Sequence, residues 1–397
     1  MVGATAQPRS EPASRPLRIA LVAGEDSGDT LGAGLIEALE RRAPGSTYFG
    51  IAGPKMVAAG CEPWHGVHEL SVMGLAEVLQ HLPRLLRLRR KLIARIATAA
   101  PDVFIGIDSP DFNLPIAAAL KPRGIATVQY VSPQVWAWRQ SRVTGIRRAV
   151  DRVLCVLPFE TDFYARHGVN AVFVGHPLAD AIPLDVDASA ARAELGIGPG
   201  PLLAVLPGSR RAEVSRLAQP FMETAQWLQR RRPDMKIAVA LASESALQSF
   251  REHTRGIELD PPARLEIGNA RTVMAAADVV LTASGTASLE AMLIKRPMVV
   301  GYIISGVTHR LLRLLGLRKL AHFALPNLLA GRALFPEYLQ RQVCADVLGP
   351  ALQTQFEASF DRSGWYDAVT AIHRQLRRDA NAAAATAVVE LCATKRT

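Results

Sequence analysis

Four segments place acids, hydroxyls and an arginine where apolar runs end. In AGEDSGDTLGAG (23–34), Gly24, Gly28 and Gly32 surround Glu25, Asp26, Ser27 and Asp29. Glycine lets backbone come close to a ligand, and a helix start offers free N–H groups. The spacing is not GxGxxG and three acids repel a phosphate, so the segment reads as a hydroxyl or sugar site; helix capping by Ser27 or Asp29 is the alternative. In IDSPDFN (107–113), Asp108 closes an apolar strand and Asp111 follows three residues on. A carboxylate at a buried strand end tends to a raised pKa and suits general-base work, which marks Asp108. Capping of the next helix is the competing role and fits Asp111 better. In LPGSRRAEV (206–214), Ser209 and Arg210 stand where a helix begins, as a diphosphate requires, and Glu213 lies in the favourable first turn. In TASGTASLEAM (282–292), Ser284, Gly285 and Thr286 make a small-residue turn suited to diphosphate. Glu290, one turn down that helix, can accept both hydroxyls of a ribose.

These loops need strands to present them. LRIALVAG (17–24), TYFGIAG (47–53), DVFIGID (102–108), IATVQYVS (125–132), DRVLCVLP (151–158) and NAVFVG (170–175) are short apolar runs separated by helical patterns. The alternation pauses at GHPLADAIPLDVDAS (175–189). It resumes with PLLAVLPGSR (201–210), KIAVALAS (236–243), RLEIG (264–268), DVVLTASG (278–285) and PMVVGYI (297–303). Strands alternating with helices imply a parallel sheet covered on both faces. The pattern, written twice, predicts an α/β fold of two doubly wound Rossmann-like domains facing a cleft. Expected boundaries are a disordered leader (1–16), an N-terminal domain (17–180), a C-terminal domain (181–360) and a helical tail (361–397) that packs on the N-terminal domain or exchanges between subunits.

With 397 residues and 49% hydrophobic residues, the chain can build two cores. No run approaches the ~18 apolar residues of a membrane span, and the start carries no apolar signal region, so a cytoplasmic location is expected. Cys61, Cys155, Cys344 and Cys392 have no CxxC spacing and read as reduced, mostly buried thiols. The net charge is +10. Six basic residues between Arg84 and Arg95, interleaved with leucines at helical spacing, form a basic amphipathic helix expected to break or restart at Pro83. HRLLRLLGLRKL (309–320) is a second such stretch. Both suit an anionic membrane surface; the alternative is a solvated helix with its leucines in the core. A non-enzymatic nucleic-acid binder is a rival suggested by net charge alone, against which stands the lack of zinc-finger, helix-turn-helix or aromatic RNA-binding motifs.

Taken together, AGEDSGD, VMGLAEVL, IDSPDFN, YVSPQVWAWR (130–139), VGHPL, LPGSRRAEV, SGTASLE and ALPNLLAG (324–331) resemble the signature segments of the lipid-A-disaccharide synthase family, in the same order. The resemblance implies an inverting GT-B glycosyltransferase that joins UDP-2,3-diacylglucosamine to 2,3-diacylglucosamine 1-phosphate (lipid X) through a β(1→6) bond and releases UDP. It implies Asp108 as base, Arg210 at the diphosphate, Glu290 at the ribose and Asn327 as a further donor-site residue. Glu25, Ser27 and Asn113 then fall on the acceptor or sugar side. The family commonly has AGEASGD, so Asp26 is an added charge. A homodimer with exchanged C-terminal segments and a location on the inner face of the inner membrane are also implied.

In such a displacement Asp108 takes the proton of the acceptor hydroxyl while Arg210 and the helix starts steady the departing UDP. No metal and no cofactor are expected; the DxD at Asp185 and Asp187 reads as solvated linker. Trp136 and Trp138 line either an acyl surface or the core. The alternative function is another UDP-N-acetylglucosamine enzyme of the same architecture, a peptidoglycan transferase or a 2-epimerase.

Overall fold

Apolar runs that read as buried on both faces become strands of two all-parallel sheets, each clothed by the helices between its strands. A computed structural model describes residues 15–70, 75–138, 140–304, 322–357 and 362–395. Most of the leader, the 72–74 start of VMGLAEVL, Arg139, the 309–320 stretch and the side chain of Trp138 lie outside the described residues. The chain divides into two units, one from its beginning to Pro177 plus Arg377 onward, the other Leu178–Leu376.

The first unit holds β1 (Arg18–Ala23), β2 (Thr47–Ala52), β3 (Cys61–Gly66), β4 (Val103–Ile107), β5 (Ala126–Tyr130), β6 (Arg152–Cys155) and β7 (Ala171–Phe173), in the order β3-β2-β1-β4-β5-β6-β7. The order reverses between β1 and β4, where Ala23 pairs with Ile107, and Ile107 in turn pairs with Tyr130 of β5. Gly24, Asp108 and Val131 therefore leave three neighbouring strands at one level. Such a reversal opens a crevice at the carboxyl ends, the usual ligand position in this fold class. The second unit repeats the plan with β8 (Leu202–Leu206), β9 (Lys236–Leu241), β10 (Arg264–Ile267), β11 (Val279–Ala283), β12 (Met298–Tyr302) and β13 (Glu337–Leu339), ordered β10-β9-β8-β11-β12-β13. Its reversal lies between β8 and β11, with Leu206 opposite Thr282.

The tail divides between the units. Helix Arg362–Leu376 packs in the second, against helix Thr286–Leu293. Helix Ala380–Thr394 belongs to the first and lies along helix Asp26–Arg42, so close that a Cβ on Gly34 would stand 2.4 Å from the Asn381 amide. Lys395 fixes its end by an ion pair of 2.5 Å to Asp151. Burial pushes the Asp151 carboxyl up, but the Lys395 and Thr127 hydrogen bonds and the Lys121 charge outweigh it and hold the group below its ordinary value.

One expectation fails. Helix Leu75–Ala99 runs through Pro83 without a break. Leu88, Leu92 and Ile96, four residues apart, are buried in the first unit's core, and this packing offsets the hydrogen bond that proline removes. Arg84, Arg87, Arg90, Lys91 and Arg95 are left exposed, with Leu82 beside them at 41% exposure. The Arg95 guanidinium lies 3.9 Å over the Trp64 ring. Among the described residues no helix is long and apolar enough to cross a membrane.

Leu92 is 1% exposed. Truncation to Leu92→Ala should cost about 2–5 kcal/mol through lost burial and the cavity left behind. Urea unfolding measures this, and an unchanged midpoint would detach the helix from the core.

Candidate active site

At the first reversal, the backbone turns sharply enough to aim Asp108. Asp108 and Ser109 both take left-handed conformations, at φ 55° and 37°, which non-glycine residues adopt only under constraint. The constraint is visible. The Asp108 N–H donates to the Tyr130 carbonyl at 2.9 Å, and the Asp108 carbonyl accepts from the Asn113 amide at 2.9 Å and the Gln129 amide at 3.0 Å. Gly24 abuts this turn so tightly that a Cβ there would stand 1.8 Å from the Ser109 hydroxyl, which only glycine avoids. The half-buried Asp108 carboxylate then accepts the Ser27 hydroxyl at 3.3 Å and the Ser109 N–H at 3.0 Å.

The other acids of these loops do different work. Asp29 is buried and accepts the N–H groups of Gly53, Lys55 and Met56 at 2.9, 2.9 and 3.0 Å, so it caps helix Pro54–Ala58 rather than its own. Asp111 caps nothing and pairs with Arg142. Glu25 and Asp26 are exposed at the start of helix Asp26–Arg42. Asn113, a candidate sugar contact, is fully buried: besides Asp108, its amide reaches the carbonyls of Val22 and Ile107 at 3.2 and 3.3 Å. It shapes the turn from beneath.

The second reversal brings the Gly208–Arg210 and Ser284–Thr286 loops side by side, at the starts of helices Arg211–Gln229 and Thr286–Leu293. Gly285, at φ 151°, occupies a region open essentially to glycine, with nothing within 4 Å of a Cβ placed on it. The exposed N–H groups of Ser209 and Arg210 are met by the Glu213 carboxylate at 3.2 and 3.4 Å, an acid in the place where helix-start donors favour negative charge. Glu290 accepts from Arg271 at 3.3 Å, a pair whose arginine is half exposed. Asn327 is fully buried, its oxygen taken by the N–H groups of Leu334 and Phe335 at 2.8 and 3.0 Å and its amide by the Phe335 carbonyl at 2.9 Å. It holds a loop together and presents no spare oxygen to a ligand.

Asp185 and Asp187 are structural rather than simply solvated. Asp185 accepts the Tyr366 hydroxyl at 3.0 Å, and Asp187 caps helix Ala188–Glu194 through Ser189 and Ala190. Trp136 is half buried against Phe159, its indole donating to Glu160 at 3.2 Å. Gln129, Glu160, Glu213 and Arg271 escaped assignment as site residues. A glutamine inside the otherwise apolar run IATVQYVS was the signal available for Gln129.

Two Rossmann-type parallel sheets, each with a polar loop pair at its reversal, define an α/β fold of the GT-B type. The solved structures it resembles agree. A UDP-GlcNAc 2-epimerase from Neisseria meningitidis bound to UDP-GlcNAc superposes with TM-score 0.61 at 10% identity, covering 94% of this chain and 99% of that one. The glycotransferase of kitacinnamycin gives TM-score 0.58 at 17% identity, covering 95% and 100%. Within that class the sequence is specific. A family model described as lipid-A-disaccharide synthetase matches residues 19–389. The lipid-A-disaccharide synthase of Alkalilimnicola ehrlichii is 52% identical over 377 residues, 94% of this chain and 98% of that protein. That of Xanthomonas campestris pv. campestris strain 8004 is 51% identical over 380 residues, 95% of this chain and 86% of that protein. The chain belongs to the lipid-A-disaccharide synthase family.

Removing the amide beneath Asp108, in Asn113→Leu, withdraws a buried donor from three carbonyls and should cost about 1–3 kcal/mol in stability. Chemical denaturation reads this directly, and a stability equal to that of the parent chain would show that other donors satisfy those carbonyls.

Proposed function

We propose that the chain is an inverting glycosyltransferase that condenses UDP-2,3-diacylglucosamine with 2,3-diacylglucosamine 1-phosphate, giving the β(1→6) disaccharide 1-phosphate and UDP. The observation that carries the residue assignment is Asp108, a carboxylate held by two hydrogen bonds on a constrained turn at the reversal of the first sheet. It accepts the proton of the acceptor's 6-hydroxyl as that oxygen attacks the anomeric carbon from the face opposite UDP. Ser27, already donating to Asp108, marks where a sugar hydroxyl can bind, and Glu25 stands exposed beside it.

The second unit supplies the leaving-group side. Arg210, Ser209 and the Ser284–Thr286 turn, at two helix starts, gather positive potential for the diphosphate. Glu213 then yields the Ser209 and Arg210 N–H groups to phosphate oxygens. Glu290 receives the ribose hydroxyls; its exposed pair with Arg271 is worth only about 0.2–1 kcal/mol, so a diol displaces it easily. Asn327 supports this side by fixing the 331–335 loop. No step calls for a metal.

The exposed arginines of helix Leu75–Ala99 give the chain an anionic-membrane contact on the cytoplasmic side, where acylated substrates reside. Helix Ala380–Thr394 is the segment that a homodimer would exchange.

Incubating the chain with both acylated glucosamines in detergent should yield a disaccharide monophosphate and UDP by mass analysis; the absence of disaccharide refutes the reading. Asp108→Asn should keep UDP affinity and lose about 10²–10⁴-fold in turnover, the usual contribution of a positioned base. Near-parental turnover removes Asp108 from the role. Reversing two charges, in Arg87→Glu with Arg90→Glu, should weaken binding to anionic vesicles at least about 30-fold, at ~1 kcal/mol for each basic residue lost. Unaltered sedimentation with vesicles returns this helix to a solvated role.

A further inference from the structure

Two strands over from Asp108, beyond β6, lies a second carboxylate for which the transfer chemistry has no use. Glu160 is 2% exposed, in the first turn of helix Phe159–Arg166 beyond the carboxyl end of β6. Its Oε1 accepts the Trp136 indole N–H at 3.2 Å and its Oε2 the Leu157 N–H at 3.1 Å. The Ser132 hydroxyl bonds the Tyr164 oxygen at 3.1 Å and the Pro133 carbonyl at 3.2 Å, holding the same segment. One buried group thus ties the end of β6 to the segment that leaves β5.

That segment is strained at its root. Val131 has φ 70°, the left-handed region, where a β-branched side chain is a genuine outlier. Gln129, 1% exposed, spans the gap: its amide donates to the Asp108 carbonyl at 3.0 Å and lies 3.4 Å from the Val131 carbonyl. The turn bearing the base and the turn bearing Ser132 and Trp136 therefore share one side chain. Strain of this kind persists only where its surroundings over-determine it.

We propose that ionised Glu160 is a positioning residue for the acceptor side, holding Trp136 and the 131–136 turn and, through Gln129, the turn that carries Asp108. This rests on the reading of Asp108 as the base. The donors converging on Glu160 suit a carboxylate, which accepts them all; a carboxylic acid must place its own proton among groups that also donate. Burial pushes Glu160 up to about 7, against the opposing pull of the Leu157, Ser132, Trp136 and Val156 hydrogen bonds. The other titratable groups facing it, Cys155 and Tyr164, are themselves pushed up by burial and stay neutral over this range. On its own helix Asp162 and Arg166 are exposed, and His167 is turned to the Phe163 carbonyl. Because the folded-state value lies above the ordinary 4.5, the group's contribution to stability is complete below that value and is lost as pH rises through about 7. The ionised form that holds the loop is the form that folding disfavours.

The test uses the full chain labelled with 5-fluorotryptophan, the Trp136 fluorine signal being identified by its loss in Trp136→Phe. In the parent chain this signal should titrate once, near pH 7, as Glu160 ionises; in Glu160→Gln it should stay flat. Glu160→Gln should also lose about ten- to a hundredfold in kcat/KM for the acceptor, as misplacement of a reacting group does, while UDP affinity holds. Glu160→Asp should recover part of that loss. A flat Trp136 signal in the active parent chain overturns the proposal, as does an acceptor kcat/KM in Glu160→Gln within about twofold of the parent value. If Glu160→Gln does not fold, the parent titration decides alone. Failure of the parent chain to make disaccharide would instead defeat the assigned reaction, while the fluorine titration would still report on Glu160.

Discussion

The left-handed turn at Asp108 and Ser109 is the constraint on which the placement of the Asp108 carboxylate depends. Backbone of that shape does not persist unaided in non-glycine residues. It is held from below by Asn113, from the side by Gln129 and the Tyr130 carbonyl, and from the front by a glycine that leaves room for Ser109. The carboxylate is thereby placed by backbone, and its own hydrogen bonds to Ser27 and Ser109 only refine the aim. A carboxylate fixed this way has little rotamer freedom left to lose to a ligand, which is the structural content of preorganisation.

The second unit achieves a similar end by other means. Its reversal point has a glycine in an unusual conformation and two helix starts, and the acid Glu213 keeps the Ser209 and Arg210 donors satisfied. The Glu213 carboxylate keeps these N–H groups in the geometry an anion needs. The two sheets share strand order around their reversals yet serve different charges: the first gathers hydroxyls around an acid, the second gathers donors around a place for anions. The shared fold supplies the positions, and the loop residues supply the chemistry.

Much of this was legible in the sequence because parallel strands covered on both faces advertise themselves as unbroken apolar runs, and the loops that follow them stand out by composition. LRIALVAG and DVFIGID predicted both the strands and the turns at Gly24 and Asp108. What escaped was pairing between distant segments. Asp29 serves a helix that begins 25 residues later, Gln129 reaches back to Asp108, and Glu160 meets Trp136 across a strand. The continuous helix through Pro83 was missed for a related reason: local propensity counts the lost hydrogen bond but not the burial of Leu88, Leu92 and Ile96. Asn327 and Asn113 look like polar contacts in sequence and prove to be internal struts, since whether an amide faces a ligand or a carbonyl depends on the fold around it.

The placement of helix Ala380–Thr394 along helix Asp26–Arg42 has a consequence for biosynthesis. The element that covers one flank of the N-terminal sheet is encoded after the whole second unit. During translation the early strands must wait, with that flank bare, until the ribosome has emitted almost the entire polypeptide. The first unit is thus completed only after the second has been synthesised.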